Sequence, residues 1–80
     1  VKVEVRLFAT LTLFLPADGR QGVATLEVPE HSTVRDVVQH LGIPADLERV
    51  TLVNGGTATP EDTLHAGDVV TVFPPLSGGH

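Results

Sequence analysis

Thr33-Val34-Arg35-Asp36-Val37-Val38-Gln39-His40-Leu41-Gly42 carries both ends of a helix and a buried face between them. Thr33 followed three residues later by Asp36 matches a capping box and sets a carboxylate at the positive helix end. Val34, Val37, Val38 and Leu41 recur at i, i+3, i+4 and i+7, one continuous apolar stripe. Gly42 supplies a C-terminal cap, and Pro44 keeps the helix from resuming. The spacing therefore predicts one amphipathic helix that starts at Ser32 or Thr33.

On either side of that helix the period falls to two. Val1-Lys2-Val3-Glu4-Val5-Arg6-Leu7 alternates, which predicts a half-buried strand with Val1, Val3, Val5 and Leu7 inward and Phe8 in phase with the polar residues. Residues 10–15 fit two patterns. Leu11, Leu13 and Leu15 alternate, while Phe8, Leu11 and Leu15 share a helical face; a short helical turn or irregular connection is expected. Ala17-Asp18-Gly19-Arg20 reads as a turn, and residues 23–28 as the second strand of a hairpin stopped by Pro29. After the helix, residues 44–48 suit one further turn and residues 50–53 a short strand. That strand runs into Asn54-Gly55-Gly56, a reversal that needs positive φ. Residues 57–59 are at best an edge strand, turns follow at 60–62 and 66–68, and residues 69–73 form the last strand.

Hairpin, helix, then short strands predicts a two-layer α+β domain with the helix across one face of a mixed sheet and the other face open. Within the last strand Val70 and Val72 share one side, and Val69, Thr71 and Phe73 the other. Thr71 marks the second side as the solvent face. Phe8 and Phe73, two of the three phenylalanines, are thus expected on the open face as a protein-binding surface.

At this length only about 60% of the unfolded chain's surface is buried on folding, so the core is small. Hydrophobic content of 41% with 19% charged residues reads as globular. Net charge of −5, with five scattered cations, argues against nucleic acid or an anionic membrane surface, which need clustered Lys and Arg. No apolar run approaches the roughly 20 residues of a membrane span, and the expected compartment is the cytoplasm. Without cysteine, neither disulfides nor thiol chemistry are available. His31, His40, His65 and His80 belong to no ligand or catalytic motif, and Ser32 and Ser77 have no identifiable base. The chain is read as having no metal site, no bound cofactor and no catalysis of its own.

The end of the chain is chemically distinct. Pro74 and Pro75 fix φ and push the backbone out as an extended arm, and Gly78 and Gly79 leave a strip of backbone able to pass through a narrow channel. Residues 1–73 are read as the folded domain and 74–80 as a flexible tail.

Leu64-His65-Ala66-Gly67-Asp68-Val69-Val70-Thr71-Val72-Phe73-Pro74-Pro75-Leu76-Ser77-Gly78-Gly79 resembles the carboxyl end of the MoaD/ThiS sulfur carriers, above all the small subunit of molybdopterin synthase. The likeness extends more weakly to residues 3–15 and 53–55. It implies a ubiquitin-like β-grasp fold. It also implies that an E1-like adenylyltransferase uses ATP to adenylate the terminal glycine carboxylate, that a sulfur donor converts it to a thiocarboxylate, and that the tail enters the large subunit of molybdopterin synthase. Carried onto this chain, the reactive group belongs to Gly79, clearance to Gly78, Pro74 and Pro75, and partner contacts to Phe8, Phe73 and Leu76. The resemblance leaves open a carrier for thiamine, cysteine or tRNA thiolation, a modifier conjugated to lysines, and a non-covalent ubiquitin-like module. His80 departs from the pattern, because with it in place Gly79 has no free carboxylate. Either His80 is an added remnant or a protease removes it, the expected cases, or the tail is not activated.

Overall fold

The computed structural model describes residues 1–17 and 19–75. Strands β1 (Lys2–Leu7), β2 (Val23–Glu27), β3 (Val50–Val53), β4 (Gly56–Thr57) and β5 (Val69–Phe73) form one sheet in the order β2-β1-β5-β3-β4. Helix α1 (Val34–Leu41) lies between β2 and β3 in the chain. β1 pairs antiparallel with β2 and parallel with β5, and β3 pairs antiparallel with both β5 and β4. A parallel neighbour cannot be reached through a tight hairpin, and here the long passage from β1 to β5 contains the helix. This mixed sheet with one helix on one face is the expected β-grasp arrangement.

The capping box forms as read: the Asp36 N–H donates to Thr33 Oγ1 at 3.3 Å, and the Thr33 N–H donates to Asp36 Oδ2 at 3.0 Å. Two further N–H groups at the helix start, of Val34 and Arg35, are satisfied by the carbonyls of Asp62 and Pro60, so the 60–62 turn serves as a second cap. Gly42 takes φ 83° and closes the helix with its N–H on the Gln39 and Val38 carbonyls. Val34, Val37, Val38 and Leu41 are all buried against Val3, Val5, Leu7, Val70 and Val72. The period-3.6 stripe of α1 thus meets the period-2 faces of the two central strands.

The ambiguous stretch resolves as a 3-10 helix, Ala9–Phe14, that buries Leu11, leaves Leu13 84% exposed and partly covers Phe14 and Leu15. The tight reversal before β2 falls later than the composition suggested. Arg20 and Val23 exchange two backbone hydrogen bonds of 2.9 Å around Gln21 (φ 55°) and Gly22 (φ 80°). A Cβ on Gly22 would sit 2.8 Å from the Leu7 carbonyl oxygen, so glycine answers there to close approach as well as to φ. The expected turn at Ala17-Asp18-Gly19-Arg20 includes Asp18, outside the described residues. Asn54 (φ 52°) and Gly55 (φ 85°) form the reversal into β4 as predicted.

Candidate carrier face and tail exit

β5 is the middle strand of the five, and it delivers the chain to the proline pair. Val70 and Val72 are fully buried on the helix side, which leaves Val69, Thr71 and Phe73 half-buried on the open side. Register fixes their neighbours: Val50 lies beside Phe73, Leu52 and Arg6 beside Thr71, and Glu4 beside Val69. The open face therefore holds a band of Val50, Leu52, Val69 and Phe73, bordered by the exposed Arg6 paired with Glu4. Phe8 continues the alternation of β1 in extended backbone (φ −122°, ψ 157°), donates its N–H to the Val72 carbonyl at 3.2 Å, and is 50% exposed. Both phenylalanines are thus placed at the same end of the sheet, from which the tail departs. Val50 and Leu52 were not among the residues read from the sequence.

Pro74 and Pro75 are half-buried. Pro75 lines a groove of about 380 Å³ together with Val34 and Val38 of α1 and residues 45–49. Arg49 holds that loop by donating from Nη1 to the Leu47 carbonyl at 2.9 Å and the Pro44 carbonyl at 3.3 Å. Leu76, Gly78 and Gly79, to which partner and carrier roles were assigned, lie outside the described residues, as does His80.

At the other end of β5, two reversals are tied together by one carboxylate. Asp68 Oδ2 accepts the His65 N–H at 2.7 Å, and Oδ1 accepts from Asn54 Nδ2 at 3.0 Å. Asn54 Oδ1 in turn accepts the Val69 N–H at 2.9 Å. The His65 backbone N–H, and after it the Asn54 amide, hold the Asp68 carboxyl below the usual carboxylate range. A carboxyl whose folded pKa is depressed contributes stability that is complete above its unfolded value of ~3.9 and disappears as pH falls through the folded value. Asp68→Asn is expected to cost about 1–2 kcal/mol at pH 7, because one amide orientation must face the donor of His65 or of Asn54 unpaired. It should also flatten the loss of stability as pH falls below about 4; urea midpoints of both proteins from pH 5 downward to pH 2 are the check. No group of three or more His, Cys, Asp or Glu able to hold a metal occurs among the described residues. Nor is any helix there long and apolar enough to cross a membrane.

A family model described as Mut7-C ubiquitin matches residues 1–77. The chain belongs to the Mut7-C ubiquitin family. Among solved structures, this Mut7-C ubiquitin chain is similar to SAMP1 from Haloferax volcanii, at 25% identity and a TM-score of 0.76 over 99% of this chain and 100% of that one. It is similar also to a putative molybdopterin converting factor subunit 1 from Pyrococcus furiosus, at 28% identity and 0.76 over 95% and 99%. Its fold is shared with a complex of subunits 1 and 2 of the molybdopterin-converting factor from Helicobacter pylori, at 20% identity and 0.63 over 99% and 100%. These similarities bear out the MoaD/ThiS resemblance and the β-grasp reading for the Mut7-C ubiquitin chain. No curated protein matches it.

Proposed function

We propose that this Mut7-C ubiquitin domain is a sulfur carrier. Its Gly79 carboxylate, freed by removal of His80, is adenylated by an E1-like enzyme with ATP and then converted to a thiocarboxylate that supplies sulfur in molybdopterin biosynthesis. A free carboxylate is a poor electrophile, whereas an acyl-adenylate gives sulfur a good leaving group to displace. The chain contributes a carbonyl carbon and a docking face, and its partners contribute the catalysis. The observation that carries this reading is the similarity of nearly the whole chain to a molybdopterin converting factor subunit 1, joined to the Gly78-Gly79 pair that follows the proline exit of β5 in the sequence. The Helicobacter pylori complex supports a large subunit as the recipient partner. Similarity to SAMP1, a small archaeal modifier protein, favours a second use of the same activated end, transfer to an amine.

Intact mass of the protein isolated from its own cells tests the carrier reading. A form ending at Gly79, part of it with one oxygen replaced by sulfur, is expected; a population that retains His80 throughout contradicts it. The open face makes a second demand. Phe73→Ala should weaken binding of the E1-like enzyme or the large subunit by about 1–3 kcal/mol while leaving the fold intact, since Phe73 is a half-buried aromatic on the sheet face opposite the helix. Titration calorimetry and a urea midpoint read the two effects separately, and an unfolded variant with unchanged affinity would assign Phe73 to the core.

A further inference from the structure

The two edges of the sheet differ. β4 is two residues long, whereas β2 presents an edge of five residues that holds no proline, lysine or bulge, its register with β1 unbroken from Val23 to Glu27. Bonding to β1 uses alternate residues of that strand: Val28 pairs with Val1 and Gly22 with Leu7, so Ala24 and Leu26 fill the ladder between them. The N–H and C=O groups of Val23, Thr25 and Glu27 therefore point away from the sheet. Those of Val23 are taken by Arg20. Those of Thr25 and Glu27 have no partner among the described residues, and both residues are exposed. Pro29, next in phase, has no N–H, and its carbonyl accepts from Ser32. What remains is a short open ladder, closed at one end by a turn and at the other by a proline.

We propose that this edge pairs with the same edge of a second copy of the chain, antiparallel and centred on Leu26. The spacing of the open groups fixes the register. Thr25 then lies opposite Glu27 of the second copy and Glu27 opposite its Thr25, and each pair exchanges two backbone hydrogen bonds, so every open donor and acceptor meets its complement. Centred on Thr25, the edge would set Glu27 against Val23, whose groups Arg20 already holds. Centred on Glu27, it would oppose two carboxylates and set Thr25 against Pro29. The register on Leu26 instead places a threonine hydroxyl beside a carboxylate on the open face and leucine beside leucine on the helix face. The segment is thus its own complement under a two-fold axis, an isologous contact that closes as a dimer. That axis runs perpendicular to the sheet, so both helices lie on one side of the joined sheet and both open faces on the other. The face of Phe8 and Phe73 stays uncovered in each copy. So short an edge makes a transient dimer, and the pairing does not depend on the activation of Gly79.

The 80-residue chain is followed by sedimentation velocity from micromolar to millimolar concentration, with amide hydrogen exchange measured by NMR over the same series. A dimer fraction that rises with concentration is expected, together with slower exchange at the Thr25 and Glu27 amides and none at Thr57 on the other edge. Charge at position 25 tests the register. Thr25→Lys, set opposite Glu27 of the second copy at two places, should raise the association constant by about 2- to 30-fold, and Thr25→Glu should lower it by a similar factor. Thr25→Glu combined with Glu27→Lys should restore it. Because position 25 also lies beside Glu4 of its own chain, melting temperatures are recorded for each variant, and Thr25→Lys, which meets an opposite charge there, keeps the test open if Thr25→Glu unfolds. A chain that stays monomeric at millimolar concentration, protection confined to other amides, or a dimer indifferent to the sign of the charge at position 25 overturns the pairing.

Discussion

Leu11→Ala is expected to destabilise the domain by about 2–5 kcal/mol, whereas Leu13→Ala, two residues further on, should change stability by no more than about 0.5 kcal/mol. Leu11 is 2% exposed and belongs to the core cluster with Leu7, Val72 and Leu64; Leu13 is 84% exposed. The two substitutions remove the same atoms, so the difference isolates burial. It also asks whether residues 9–14 are helical, since a strand would put Leu11 and Leu13 on one face and make their losses similar. For a domain this small, a loss at the upper end of that range removes a large share of the total stability. Urea unfolding of both variants, with m-values compared to the parent, decides it, and near-equal losses would reject the 3-10 assignment.

Where the sequence was legible, a local pattern had no rival. The Thr33/Asp36 box, the Val34, Val37, Val38 and Leu41 stripe and Gly42 agree with one another, and each takes the predicted conformation. Val3, Val5 and Leu7 are inward because charged residues alternate with them, and Phe8 continues that phase outward. Val50-Thr51-Leu52-Val53 offered no such contrast. Three of its four residues are apolar, so only the register with Thr71 and Phe73 tells that Val50 and Leu52 share the open face. The reversal at Gln21-Gly22 was hidden for a related reason: glutamine is an uncommon choice at positive φ, while Asp18-Gly19 just before it carries the stronger turn signal. The help that the 60–62 carbonyls give the helix start is a contact between segments far apart in sequence, which no local pattern encodes.

The terminus carries the largest functional effect. A chain ending at Gly79 is expected to be adenylated, and the chain that keeps His80 to show none above background, because Gly79 then has no carboxylate oxygen to attack the α-phosphate of ATP and the His80 carboxylate carries a side chain that cannot follow glycine through a narrow channel. Within the Gly79-ended chain, Gly78→Val and Gly79→Val should each abolish the reaction as well, since a β-branched side chain cannot follow glycine through a narrow channel. Neither change should alter the melting temperature, because the buried hydrophobic residues of the described core run from Val3 to Val72. The deciding measurement is ATP–pyrophosphate exchange with the cognate E1-like enzyme, run in parallel on the Gly79-ended chain and the 80-residue chain. Exchange confined to the Gly79-ended chain is the predicted result; equal exchange by both, or none by either, contradicts a carrier that works through the carboxylate of Gly79.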